Sequence, residues 1–111
     1  MSAQPDIDKI RQALRARRIS LEQRHERIRL DLQHRNDPLV ADAPDRAIQL
    51  QNDAALQVID EATNDELVTV DEALQRLDQG LYGICKRCGG AIEPIRLQVL
   101  HAVMCSDCAR D

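Results

Sequence analysis

The chain contains no tryptophan and no phenylalanine, and its only aromatic residue is Tyr82. Aromatic rings supply much of the buried area of thick globular interiors. Their scarcity argues for elements that bury a narrow stripe instead. No apolar run approaches the roughly 18–20 residues that cross a bilayer. The opening MSAQPDIDKIRQ also lacks the apolar core of a secretory signal, so a cytoplasmic protein without membrane contact is expected. Glycine and proline number only four each, and no internal repeat or low-complexity tract breaks the 111 residues. That length suits one domain, or a compact module carrying an extended element. Charge is plentiful, at 31% of the chain, and it comes with the Leu, Ile, Ala, Gln, Glu and Arg typical of long helices.

Ile7, Leu14, Leu21 and Ile28 recur every seven residues, which predicts a helix over about 6–36 with one stripe facing one partner helix. Asp6 and Asp8 suit its first turn, where the helix dipole favours acids. Asn36-Asp37-Pro38 ends it, because the residue before proline is pushed out of the α region. A second helical segment begins near Asp45, with apolar positions at Leu56, Ile59, Leu67, Val70, Leu74, Leu77 and Leu81. Within it, 63-TNDELVTVDEAL-74 allows a break, with Thr63 or Thr69 capping a restart. Gly80 is placed to end the segment.

The two segments carry opposite charge. Residues 6–36 hold nine Lys or Arg against five acids, and residues 47–80 hold eight acids against Arg76 alone. Such segments attract along their flanks, and neither long helix is stable without burying its stripe. The expectation is a mainly α fold in which residues 1–80 form an antiparallel coiled-coil hairpin with its tip at 37–47. The net charge of −4 and a pI near 5.3 give no general affinity for DNA.

All four cysteines lie in 85-CKRC-88 and 105-CSDC-108. Two C-x2-C turns at this separation in a cytosolic chain read as one tetrahedral zinc site, with Cys85, Cys88, Cys105 and Cys108 as ligands. Gly89-Gly90 supplies the permissive backbone of such a turn, with amides free to reach the sulfurs. A thioredoxin-like reading fails for want of a βαβ context. Four thiolates leave no position open for water, so a structural ion is expected and His101 is surplus to it. His25 and His34 are read as seam or surface residues. Ile84, Ile92, Ile95, Leu97 and Val99 supply a small apolar shell, too small to hold residues 81–111 without the metal.

The run 80-GLYGICKRCGGAIEPIRL-97 with 105-CSDC-108 resembles the zinc-finger segment of the DksA/TraR family of bacterial transcription regulators. Tyr82, Gly83, Cys85, Cys88, Gly89, Ile92, Arg96, Leu97, Cys105 and Cys108 fall on its motif. A second motif, D-x-x-D-x-A at the tip of the family's coiled-coil hairpin, is matched by Asp42, Asp45 and Ala47, with Arg46 also in place. The resemblance covers roughly residues 6–108. It implies a regulator that binds RNA polymerase and inserts its coiled coil into the secondary channel. Asp42, Asp45 and Ala47 would then be partner-binding residues that alter initiation.

The chain departs from the family in four respects. The cysteine pairs are separated by sixteen residues, one fewer than in the best-known members. Leu100-His101-Ala102 runs where a proline is usual. A further C-terminal helix and an N-terminal extension are missing or short. With only Arg76 basic in 47–80, weak dependence on guanosine tetraphosphate is expected.

Read without the resemblance, Asp42 and Asp45 beside Pro44 are turn and helix-capping residues. One alternative function is a zinc-ribbon nucleic-acid module using Lys86, Arg87, Arg96 and Arg110, but only Tyr82 is available for base stacking. Another is a structural interaction module that dimerises through its helices. Exposed aspartates without a pocket or a general-base environment do not suggest an enzyme. A monomer without sequence-specific DNA binding is expected.

Overall fold

A computed structural model of the chain describes residues 6–35 and 43–110. Its helices are α1 (Ile7–Arg35), α2 (Ala43–Asp78), α3 (Pro94–Leu100) and α4 (Ser106–Ala109). The fold is mainly α: a coiled-coil-like antiparallel hairpin of α1 and α2, followed by a small cysteine-bearing module. The β pairing among the described residues is a single antiparallel bridge, Ile84 to Ala91. None of the described helices is long and apolar enough to cross a membrane.

The polypeptide divides into two compact units, one of Ile19–Leu67 and one of Met1–Arg18 with Val68–Asp111, so α1 and α2 each contribute a segment to both. In the unit that holds the cysteines, Arg11 meets Asp78 at 3.1 Å and Arg18 meets Asp71 at 3.0 Å. Seven residues forward on α1 thus answer seven residues back on α2, the signature of antiparallel pairing. These ion pairs are partly exposed, worth about 0.2–1 kcal/mol each, and contribute more to register than to stability. In the other unit, His25 and Asp60 lie 2.6 Å apart, half-buried between the helices. His25 is therefore a seam residue; the side chain of His34 lies outside the described residues.

The Asp6 carboxylate starts α1 by accepting from the amides of Asp8 (3.1 Å) and Lys9 (3.3 Å), which satisfies two of the donors a helix start leaves bare. Three members of the predicted heptad stripe are buried: Leu14 and Leu21 at 0% exposure and Ile28 at 5%. Ile7, at 40%, is not. On α2 the buried heptad positions are Thr63, Val70 and Leu77, with Ala73 also enclosed. Ile59 and Leu81, expected in that stripe, are exposed.

No break occurs at Thr63. Its hydroxyl donates to the Ile59 carbonyl at 2.8 Å, so the polar group is satisfied within the helix and the residue can sit in the seam. The start of α2 also differs from expectation. Helix begins at Ala43, and Asp45 lies inside the first turn, where an acid favours the dipole.

Truncating a fully enclosed seam residue should cost far more than truncating its exposed neighbour. Leu21→Ala is expected to lower stability by about 3 kcal/mol, and Ile19→Ala, at 56% exposure, by less than about 0.5 kcal/mol. Urea unfolding followed by circular dichroism reads both, and equal losses would show that the seam runs elsewhere.

Candidate functional site

The site begins where α2 stops. Gly80 adopts φ +73°, its amide reaches the Leu77 carbonyl at 3.1 Å, and the Leu81 amide reaches Arg76 at 2.8 Å. This is a Schellman closure, which requires a left-handed residue at that point. The chain then runs through the Ile84–Ala91 bridge into the first cysteine turn. There Cys85 and Gly90 pair at 2.8 Å, Gly89 donates to the Cys85 carbonyl at 3.0 Å, and Gly89 itself sits at φ +74°. Curling the backbone this way aims amides at sulfur. Those of Arg87 and Cys88 reach Cys85 Sγ at 3.4 and 3.5 Å, and that of Gly90 reaches Cys88 Sγ at 3.4 Å.

The second pair comes from α4, with Cys105 at its N-cap and Cys108 within it. Three polar contacts hold this segment against the first turn and α3. Lys86 donates its amide to the Val103 carbonyl at 2.9 Å. Arg96 Nε donates to the Met104 carbonyl at 2.9 Å. The Glu93 carboxylate accepts from the Ser106 hydroxyl at 2.9 Å and from its amide at 3.3 Å. The four sulfurs consequently lie within 4.8 Å of one another, with Cys88 and Cys105 Sγ 3.8 Å apart. That cluster is compact enough to hold one metal ion. His101 is not part of it; it ends α3 in a left-handed conformation, φ 51°.

Charge is distributed unevenly over the sulfurs. Amide donation, chiefly from Cys88, draws the Cys85 thiol down to about 5. Cys108, which donates to the sulfurs of Cys105 and Cys85, is pushed up to about 12. The Glu93 carboxyl is held below its ordinary range by its own backbone amide first and the Ser106 hydroxyl next. Burial raises the Tyr82 phenol.

The packing around the cluster is smaller than the sequence reading proposed. Ile92 and Ala102 are buried with Cys85 and Cys105, and Leu97 and Met104 pack against them. Ile84, Ile95 and Val99, expected in the shell, are exposed at 37%, 74% and 68%. Ile95 and Val99, four apart on α3, share a face turned to solvent while Arg96 and Leu97 face the cluster, and Ile84 lies before that helix in the bridge to Ala91. The clamps through Glu93, Arg96 and Lys86 were not foreseen; they join residues far apart in sequence, and only Glu93-Pro94 at a helix start hinted at one. Of the expected tip residues, Asp45 and Ala47 are exposed on the first turns of α2, and Asp42 lies outside the described residues.

A profile described as "DnaK suppressor protein-like, N-terminal domain" matches residues 10–77. The structure of transcription factor DksA2 from Pseudomonas aeruginosa superposes with a TM-score of 0.77 at 29% identity, covering 97% of this chain and 89% of that one. An uncharacterized protein of Aquifex aeolicus (strain VF5) is 36% identical over 59 residues, which is 50% of this chain and 41% of that protein. The chain thus spans under half the length of this relative.

Metal ligands must be thiolates. With Cys85 drawn down to about 5 and Cys108 pushed up to about 12, a metal-free site at pH 7 holds the first as thiolate and the second as thiol. A lowered thiol favours uptake at neutral pH and a raised one opposes it, so uptake at pH 7 expels at least the Cys108 proton and weakens as pH falls. Calorimetry in two buffers of different ionisation enthalpy should report one or more protons released per ion. Zero release would mean that Cys108 is not a ligand.

Proposed function

The chain belongs to the DnaK suppressor protein-like (DksA/TraR) family, and from that membership we propose that it is a regulator of transcription initiation that acts by binding RNA polymerase. In this reading the end of the hairpin enters the secondary channel, and Asp42, Asp45 and Ala47 are the residues it presents there. The observation that carries the reading is the exposure of Asp45 and Ala47 in the opening turns of α2, in a chain whose fold matches a transcription factor over 97% of its length. A rigid element presenting a functional turn is a common division of labour.

The proposed ion is zinc, ligated by Cys85, Cys88, Cys105 and Cys108. A tetrahedral ion at the usual zinc–sulfur distance separates its ligands by about 3.8 Å, and Cys88 and Cys105 stand 3.8 Å apart. Four thiolates fill the coordination sphere, so the role is to hold residues 81–110 together. The reading is of a cytoplasmic, monomeric binding protein and not an enzyme. It depends little on guanosine tetraphosphate, because Arg76 is the lone base in 47–80 and a polyanion finds little to hold there.

Run-off transcription from a ribosomal RNA promoter, with a pull-down on purified polymerase, tests the reading. Wild type and Asp45→Asn are both expected to bind, with only wild type shifting transcript yield. Adding guanosine tetraphosphate should change the wild-type effect less than about twofold, within roughly 0.4 kcal/mol. If the wild type fails to bind polymerase the proposal is lost, and strong potentiation by the nucleotide would overturn the statement about dependence.

A further inference from the structure

The segment of α2 that follows the tip turns its one charged residue inward and leaves an uncharged, largely aliphatic surface outward. Over residues 47–59, AIQLQNDAALQVI, the one charged side chain is Asp53, and it is buried at 9% exposure. The other seven acids of residues 47–80 all lie at position 60 or beyond. Thirteen consecutive helical residues therefore present no charge to solvent, in a chain that is 31% charged. What they do present is aliphatic apart from the exposed amides of Gln51, Asn52 and Gln57. Ile48, Leu50, Val58 and Ile59 are 57%, 62%, 65% and 48% exposed, with Ala54 and Ala55 exposed between them.

Helix geometry makes these residues continuous. Leu50, Ala54 and Val58 follow at steps of four, and Ala55 with Ile59 forms the neighbouring row, so two parallel ridges run along the outside of the helix. The α1 segment in the same unit is different, exposing Glu22, Glu26, Arg27, Arg29 and Asp31. The seam does not account for the pattern, since its positions here are taken by Asp53 and the half-buried Gln49 and Leu56.

We propose that this face of α2 is a docking surface for an uncharged, apolar protein wall of the partner that receives the Asp45–Ala47 turn. That partner is RNA polymerase in the reading above, on which this inference rests. Continuity is the first argument, for Ala47 ends the tip motif and opens the apolar face. The second is electrostatic. A face without ions loses no ionic hydration on docking, whereas with no cation it has nothing to offer nucleic-acid phosphates. The third is size. Four aliphatic side chains about half exposed offer on the order of 400 Å², half the roughly 800 Å² per partner of a standard stable interface. That is too little to hold two copies together alone, and suitable as an extension of a contact already anchored at the tip.

The test compares wild type with Leu50→Glu/Val58→Glu and with Leu50→Ala/Val58→Ala. The alanine pair keeps helix propensity and decides the matter if the glutamate pair disturbs folding. Affinity for RNA polymerase is read by fluorescence anisotropy, and oligomeric state by light scattering. The glutamate pair should weaken binding at least about tenfold and the alanine pair several-fold, with unchanged helicity and a monomeric wild type. If all three bind equally, the face is not a contact and the tip reading survives. If wild type does not bind polymerase, both fall. A wild-type dimer that the substitutions dissolve would assign the face to a second copy and overturn the proposal.

Discussion

With a single aromatic ring, too little to fill a thick interior, this chain can bury only what one edge of a long helix can reach, and the rest of its structure follows from that limit. Leu14 and Leu21 vanish completely from solvent while their immediate neighbours on α1 stay exposed. Burial of that kind is directional but poor in information: a stripe of aliphatics tolerates sliding. Register is supplied instead by specific polar partners, Arg11 with Asp78, Arg18 with Asp71, and His25 with Asp60. Each is weak in water, yet slipping the helices by one turn would strand all of those partners at once.

The same limit shapes the cysteine module. Ile92 and Ala102 make a core too slight to order some thirty residues, so the chain uses directional chemistry. Amides converge on sulfur at both members of the first pair, and the Lys86 amide with the side chains of Glu93 and Arg96 fixes the second. Glu93 is the most economical of these. It is the N-cap residue of α3, and its carboxylate accepts from Ser106 at the start of α4, so one residue ties the two short helices together.

Much of this could be read from the chain alone, and the residues show why the remainder could not. The heptad of α1 was legible because its members are large and aliphatic. The seam of α2 was legible only in part: Val70 and Leu77 were expected there and are buried, but Thr63 is polar and Ala73 small. The continuity of α2 through residues 63–74 depends on the Thr63 hydroxyl turning to its own helix, a rotamer choice that composition does not reveal. The cysteine cluster was fully legible, since spacing and residue type constrain it together. Its apolar shell was overestimated because Ile95 and Val99 look like core residues by type, whereas their spacing of four on α3 puts both on the face opposite Leu97. The tip motif is a matter of sequence order; Asp45 and Ala47 lie exposed at the start of α2, and Asp42 falls outside the described residues.

The junction at Gly80 has a consequence for anyone treating the hairpin as a transferable part. Arg76 reaches forward to the Ile84 carbonyl at 2.6 Å, and Glu72 holds Lys86 at 2.8 Å, so the last two turns of α2 are fastened on either side of Cys85. The Schellman closure likewise draws on Leu81. A cut after the helix would therefore remove the closure's outer hydrogen bond and two side-chain anchors together. The end of α2 and the cysteine module are a single joint, and a graft that keeps the hairpin but swaps the finger must import positions 72 and 76 along with it.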